Sequence, residues 1–452
     1  MKFYNRQTEI IELRALSHQA HTSGGLMSVI VGRRRVGKTR LLRQAYQDAV
    51  NHLYLFTAKK PEALLCEEFT TLIKQTLNIP IFGNIQHFRD IFALLLAYSK
   101  QSPITLIIDE FQEWQNINPA IFSEMQNLWD QYKEDASMHL ILCGSVYSLM
   151  TRIFEHSKEP LFGRADQKIH LKPLKNRFLS EFLKEHNHYS AENLLTLKAL
   201  TGGVPKYLEQ LARAEAYDLN TILDNFIAEN SLFLEEGKHL LIEEFGRDYM
   251  NYFAILELIS VGKTSRSEIE SVIQKSVGGY LDRLENNYFL INRHRPIFAK
   301  PNSRQQKYSI KDNFLRFWFH FIYRHQTTAE IGNYIYIKQY IKRHFNTFTG
   351  AILEQMFTEQ LIENHEFTQI GRYWEKNNQN EIDIVAVNES DKTILIAEVK
   401  RQASKININT LDKKAQKIRQ KHPDYEIKLQ GFSLLNLDSF VLNKGSLGVL
   451  QK

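Results

Sequence analysis

Three groups of residues in this 452-residue chain have the types and spacing to do chemistry. The first, Gly32-Arg33-Arg34-Arg35-Val36-Gly37-Lys38-Thr39, fits GxxxxGK[ST] and stands between an apolar run, 27–31, and an amphipathic stretch, 40–49. A strand, a glycine-bearing loop and a helix in that order cradle phosphates on backbone N–H groups. Lys38 then reaches the β and γ oxygens and Thr39 ligates Mg²⁺. The second group is Asp109-Glu110, directly after Ile104-Thr105-Leu106-Ile107-Ile108. At the end of a neighbouring strand, Asp109 supplies a metal-side carboxylate and Glu110 orients or deprotonates the attacking water. Both groups together predict binding and hydrolysis of ATP with Mg²⁺.

The third group lies near the other terminus. Residues 381–387 and 393–400 both alternate, with a polar turn at 388–392 between them. Folded as an antiparallel hairpin they set Asp383 opposite Glu398, and the period of two puts Glu398 and Lys400 on one face. Two carboxylates and a lysine at one point suit a metal-dependent phosphodiesterase. The carboxylates hold Mg²⁺, and the lysine stabilises the nucleophile or transition-state charge. A salt-bridged, solvated hairpin face is the alternative that spacing leaves open.

The elements needed to position these groups divide the chain. Apolar runs at 27–31, 104–108 and 139–143, separated by helical patterns, predict buried parallel strands of an α/β sheet, so residues 1–172 form a nucleotide-binding core. Residues 173–245 carry apolar residues at helical spacing and predict a helical lid. Residues 246–312 predict three helices, the second begun by the capping box Ser265-Arg266-Ser267-Glu268. Two strands follow, with a basic tip at Arg293-His294-Arg295, the pattern of a winged helix that contacts DNA or a protein. Residues 313–452 hold an aromatic helix and a second α/β domain containing the hairpin. Between Lys405 and Lys421 six cations stand against Asp412 alone, a face for a phosphate backbone or an ordinary solvated surface.

Composition narrows the class further. With 43% hydrophobic and 24% charged residues, 10 Pro and 20 Gly, the chain is neither disordered nor collagen-like. Cys66 and Cys143 make no disulfide framework or zinc motif. No leader and no apolar run of about 18 residues is present, so no membrane role is predicted and the cytoplasm is the expected compartment. The net charge of +6 is mild for this length and names no partner.

Several stretches stand in an order that resembles the archaeal-type ATPases of the AAA+/STAND group of P-loop NTPases. They are Phe3-Tyr4-Asn5-Arg6-Gln7-Thr8-Glu9-Ile10, the loop 32–39, Asp109-Glu110-Phe111-Gln112, Gly144-Ser145, Leu161-Phe162-Gly163-Arg164 and Gly202-Gly203-Val204-Pro205-Lys206-Tyr207-Leu208. The resemblance implies that Phe3 and Arg6 lie near the base or ribose and that the stretch ending in Pro205 is the lid motif reading the nucleotide state. That stretch also fits a plain helix start with Pro at its first position. Ser145 is either a γ-phosphate sensor or a helix cap. Arg164 is either a finger acting in a neighbour's site, which implies a homo-oligomer, or a surface ion pair.

Residues 308–319 resemble the signature of a domain fused to these ATPases in prokaryotes. The hairpin resembles the PD-(D/E)xK nucleases, in which Glu354 matches an additional upstream metal-binding acid, although Glu381-Ile382 stands where Pro would precede Asp383. The implied protein is an ATPase whose nucleotide state controls a DNA-directed, Mg²⁺-dependent nuclease. The alternatives are an ATP-gated DNA-binding or scaffold switch with an inactive nuclease fold, and a signalling NTPase.

Overall fold

A computed structural model describes residues 4–49, 51–376 and 379–442. Phe3 lies outside them. The chain divides between Pro173 and Leu174 into two compact units.

In the first unit, β1 (Leu26–Val31), β2 (His52–Phe56), β3 (Ile104–Asp109), β4 (Met138–Gly144) and β5 (Gln167–His170) form one parallel sheet in the order β2-β3-β4-β1-β5. Every residue of β3 and β4 is buried, as apolar runs must be when helices cover both faces. Alternation divides them between two cores. Met27, Val29, Leu106, Ile108, Leu140 and Leu142 pack with helices Glu62–Leu77, Phe88–Ser99 and Ile121–Tyr132. Ile30, Ile107, Ile141 and Cys143 pack with helices Gln7–Ser23 and Lys38–Tyr46. The α/β class is as the sequence predicts, with one correction. Because β4 lies between β1 and β3, Asp109 is not on the strand next to the phosphate loop.

A buried histidine joins β4 to the helix layer. His139 Nδ1 lies 2.7 Å from Ser17 Oγ and its Nε2 lies 2.7 Å from Ser28 Oγ, while Ser17 Oγ meets Tyr46 Oη at 2.9 Å. Burial pushes the His139 pKa down to about 3, so the ring is neutral and each nitrogen has a hydroxyl partner.

The second unit begins with helices Asn176–Glu185, Ala191–Thr201, Pro205–Arg213, Leu219–Phe226 and Leu232–Phe245. The aromatic segment packs into them: Phe314 meets Tyr207 at 4.7 Å, and Trp318 Nε1 donates to the Leu234 carbonyl at 2.8 Å. Gly237 makes room, since a Cβ there would lie 2.2 Å from the Trp318 ring.

Helices Tyr249–Ser260, Arg266–Ile273 and Gly278–Asn286 precede an antiparallel pair, β6 (Ile291–His294) and β7 (Lys307–Ile310). The capping box forms as the sequence indicates, Ser265 N donating to Glu268 Oε2 at 2.8 Å and Glu268 N to Ser265 Oγ at 3.3 Å. The basic tip forms only in part, with Arg295 exposed just after β6. Arg293 and His294 lie within β6, Arg293 paired with Glu285 and His294 Nε2 2.7 Å from Ser309 Oγ. The connecting loop turns inward instead, and Ile297 N donates to the Arg372 carbonyl at 2.8 Å.

The 30-residue helix Tyr334–Glu363 leads into β8 (Gln369–Tyr373), β9 (Ile382–Asn388) and β10 (Thr393–Lys400), then helix Ile408–Lys421 and β11 (Glu426–Ser433). The sheet order is β11-β10-β9-β8, parallel only between β10 and β11, whose connection is the crossover helix. Hairpin pairs run from Asn388 opposite Thr393 to Ile384 opposite Ala397, and the next step in that register sets Asp383 opposite Glu398.

Candidate functional site

The phosphate loop leaves β1 and enters helix Lys38–Tyr46 through two left-handed residues, Arg35 at φ 68° and Gly37 at φ 96°. Gly37 takes this conformation without a Cβ clash. Gly32 is fixed by crowding, for a Cβ there would lie 2.9 Å from the Leu171 carbonyl oxygen. The first helical N–H groups therefore open toward the loop. Lys38 Nζ is buried and donates to the Gly32 carbonyl at 2.6 Å and that of Arg33 at 3.3 Å. Burial lowers its pKa, while Cys143, Glu110 and Asp109 oppose that shift.

Although β4 intervenes, the two expected halves meet. Thr39 Oγ1 donates to Asp109 Oδ2 at 3.0 Å, and Tyr54 Oη donates to the same oxygen. Burial, then the Asp109 charge, raises the Tyr54 pKa, so it stays a donor. Asp109 Oδ1 accepts from Glu110 N at 2.9 Å. Glu110 itself has φ 53°, an uncommon conformation for a residue with a Cβ. Its Oε2 accepts from Ser145 Oγ at 2.7 Å and from Gln112 Nε2 at 2.6 Å. Ser145 therefore serves Glu110 and not a helix cap; the helix that follows, Tyr147–Glu155, has Val146 at its N-cap. Gln112 and Tyr54 carried no role in the sequence. Gln112 stood two residues beyond Glu110, and nothing local marks Tyr54.

The other expected residues of this unit and of the helices after it have these partners. Arg6 is buried and commits its guanidinium to Glu9 at 3.1 Å and to the Lys172 carbonyl, so it pins the first helix to the segment after β5. Arg164 takes the ion-pair arrangement. It grips both oxygens of Asp130 with contacts of 2.8–3.2 Å and donates to the Pro160 carbonyl at 2.8 Å. Pro205 opens helix Pro205–Arg213 at its first position, after Gly203, whose φ of 82° and closeness to the Leu174 carbonyl exclude a side chain.

In the terminal sheet Lys400 Nζ lies 3.5 Å from both Asp383 Oδ2 and Glu398 Oε1. Val399 N donates to Asp383 Oδ2 at 2.8 Å, Asn407 N donates to Glu398 Oε2 at 3.3 Å, and Lys414 lies 3.6 Å from Glu398. Against burial, which lowers it, Asp383 and Glu398 hold the Lys400 ammonium above its ordinary pKa. Glu354 departs from the expectation: Arg372 pairs with it at 3.1 Å, and with Glu381 at 3.4 Å. Burial pushes the Glu354 carboxyl up to about 7 despite Arg372. Among the described residues, no three His, Cys, Asp or Glu are grouped so that they could hold a metal ion. Arg372 is the residue that sequence reading missed. No described helix is long and apolar enough to cross a membrane.

Residues 3–211 match a family model described as an ATPase domain predominantly from Archaea, and residues 318–418 match one described as archaeal and bacterial proteins of unknown function. An uncharacterized protein of Methanocaldococcus jannaschii is 29% identical over 399 residues, 86% of each chain. The Walker-type ATPase of Pyrococcus abyssi is similar in fold, with a TM-score of 0.52 at 18% identity, over 70% of this chain and 96% of its own. The chain carries an archaeal-type ATPase domain with the parallel sheet of P-loop ATPases.

Proposed function

We propose that turnover in this archaeal-type ATPase domain controls a DNA-directed terminal module, and that the module is a Mg²⁺-dependent nuclease centred on Asp383, Glu398 and Lys400. In the ATPase, the hard oxygens of Thr39 and Asp109, 3.0 Å apart, suit Mg²⁺, which would neutralise phosphate charge. Lys38 exchanges the Gly32 carbonyl for a phosphate oxygen. Glu110, aimed by Ser145 and Gln112, accepts a proton from the attacking water.

The observation that carries the nuclease reading is the convergence of Lys400 on both carboxylates, each at 3.5 Å. Asp383 and Glu398 form a hard-oxygen pair that fits a single Mg²⁺ completed by waters, which would polarise a phosphodiester. Lys400 holds the nucleophile or the developing phosphate charge. The order helix, three antiparallel strands, helix and parallel strand agrees with a PD-(D/E)xK core. The helix Ile408–Lys421 supports a DNA partner through its run of cations, although Lys414, Lys417 and Arg419 are paired with Glu398, Glu375 and Asp412 as Arg293 is with Glu285. A homo-oligomer using Arg164 in trans requires that residue to leave Asp130.

A second reading has its own support. The Arg372 guanidinium on Glu354 favours an inactive nuclease fold that binds DNA under ATP control. Cleavage of linear and supercoiled DNA with Mg²⁺ or Mn²⁺, with and without ATP, separates the two. Metal-dependent cutting lost in Asp383→Ala and Lys400→Ala is the expected result. DNA that is bound and never cut establishes the second reading.

A further inference from the structure

Helix Tyr334–Glu363 does more than brace the terminal sheet. Its Ile337, Ile341, Phe345 and Phe348 are buried, and Tyr336, Tyr340 and Arg343 lie on the other side of the helix. Tyr336, Tyr340 and His344 stand at successive turns, with Tyr336 and Tyr340 near-parallel at 6.3 Å and Tyr340 and His344 at 4.4 Å. His325, held by the Phe321 carbonyl at 2.9 Å, adds a fourth ring at 4.5 Å from Tyr340. Tyr336 is 47% exposed, too much for a ring recruited only to a core. Residues 334–353 contain Lys338, Lys342 and Arg343 and no Asp or Glu. The nearby acids are Asp224, paired with Lys338 at 2.8 Å, and Glu330, bonded by Gln326.

The stripe has a direction. At 3.6 residues per turn, Tyr336, Tyr340, Arg343, Thr347 and Glu354 fall within an arc of about 60° and span about 27 Å of helix axis. Between the rings and Glu354 the face is low, with Gly350 looking onto open space. Glu354 in turn belongs to the electrostatic neighbourhood of Asp383 and Lys400.

We propose that this helix is a track for single-stranded DNA, whose bases stack on the exposed Tyr336 and extend the ring stack of Tyr340 and His344 behind it, whose phosphates meet Arg343, and whose backbone is led along the Glu354 face to the Asp383/Glu398/Lys400 cluster. Such a track presupposes a DNA-directed terminal module. Tyr336 is exposed, with Tyr340 and His344 half-buried behind it, and an exposed ring favours unpaired bases, because a duplex keeps its base faces stacked on one another.

The test is fluorescence anisotropy of the full chain with a labelled mixed-sequence strand and with the duplex it forms with its complement, without metal, over a range of salt. The strand should bind more tightly than the duplex. Tyr336→Ala with Tyr340→Ala should weaken strand binding by about tenfold or more, and Tyr336→Phe with Tyr340→Phe should restore it. Arg343→Gln should lower the salt slope by about 0.7. Strand binding unchanged in the alanine pair, or a duplex preferred by the unmutated protein, overturns the track. Should the alanine pair fail to fold, Arg343→Gln decides, an unchanged salt slope being the overturning result.

The two levels fail separately. If no DNA is cut but strand binding depends on the tyrosines, the nuclease reading falls and the track stands. If DNA is cut equally by the tyrosine variants, the track falls alone.

Discussion

Ser145 Oγ donates to Glu110 Oε2 across 2.7 Å, joining the residue after β4 to the residue after β3. Gln112 Nε2 holds the same oxygen at 2.6 Å. The orientation of the acid thus depends on how two adjacent strands end, and a γ-phosphate that attracts the Ser145 hydroxyl would alter Glu110 at the same moment.

Glu110→Gln should retain ATP binding and slow hydrolysis by about 10²–10⁴, the usual effect of a positioned general base. Ser145→Ala should cost less, about tenfold in kcat with KM unchanged, because Gln112 still holds the carboxylate. Phosphate release and fluorescent-nucleotide binding measure both. Lost binding in Glu110→Gln would make that residue structural.

Lys38→Ala should abolish turnover. It should also lower the stability of the first unit by roughly 1 kcal/mol, since the Gly32 carbonyl loses its donor. Phosphate release and chemical denaturation check the two effects, and hydrolysis near the unmutated rate would remove the loop from the mechanism.

Gly144→Ala should be damaging twice over. A Cβ would lie 2.3 Å from Met150 Sδ and 2.6 Å from Gln112 Oε1. Overpacking of this kind costs about 1–3 kcal/mol, and displacement of Gln112 should reduce kcat more than KM. Thermal unfolding together with steady-state kinetics would reveal either effect.

His139 gives the first unit an acid limit. Its folded pKa, about 3, lies below the unfolded value of about 6.5, so the unfolded chain binds more protons between those values. Stability contributed by the neutral ring is complete above about pH 6.5 and falls by about 1.4 kcal/mol for each unit toward pH 3. Denaturant unfolding of the unmutated protein and His139→Gln across that range should show a shallower slope in the variant. Equal slopes would refute the assignment.

What the sequence revealed was local. Gly32 to Thr39 could be read because the loop, its strand and its helix are contiguous, and the hairpin register followed from one turn at 388–392. Strand order was hidden, because the insertion of β4 between β1 and β3 is decided by crossovers and packing. Arg293 looked like an exposed tip because only the return of β6 against the preceding helix shows that Glu285, close by in the chain, lies against it. Arg372 was missed because its partners Glu354 and Glu381 come from a helix and a loop far apart in sequence.

The inward turn of the loop between β6 and β7 bears on association between copies. A terminal sheet of this kind has two open edges, β8 and β11, and an unpaired edge is a template for another chain. Ile297 N takes the Arg372 carbonyl on β8, so the loop acts as a short edge guard. On β11 the protection is chemical, through Glu426, Lys428 and Gln430 on alternate positions. Shortening the loop would bare β8, and the resulting tendency to aggregate would originate in a segment remote in sequence from the phosphate loop.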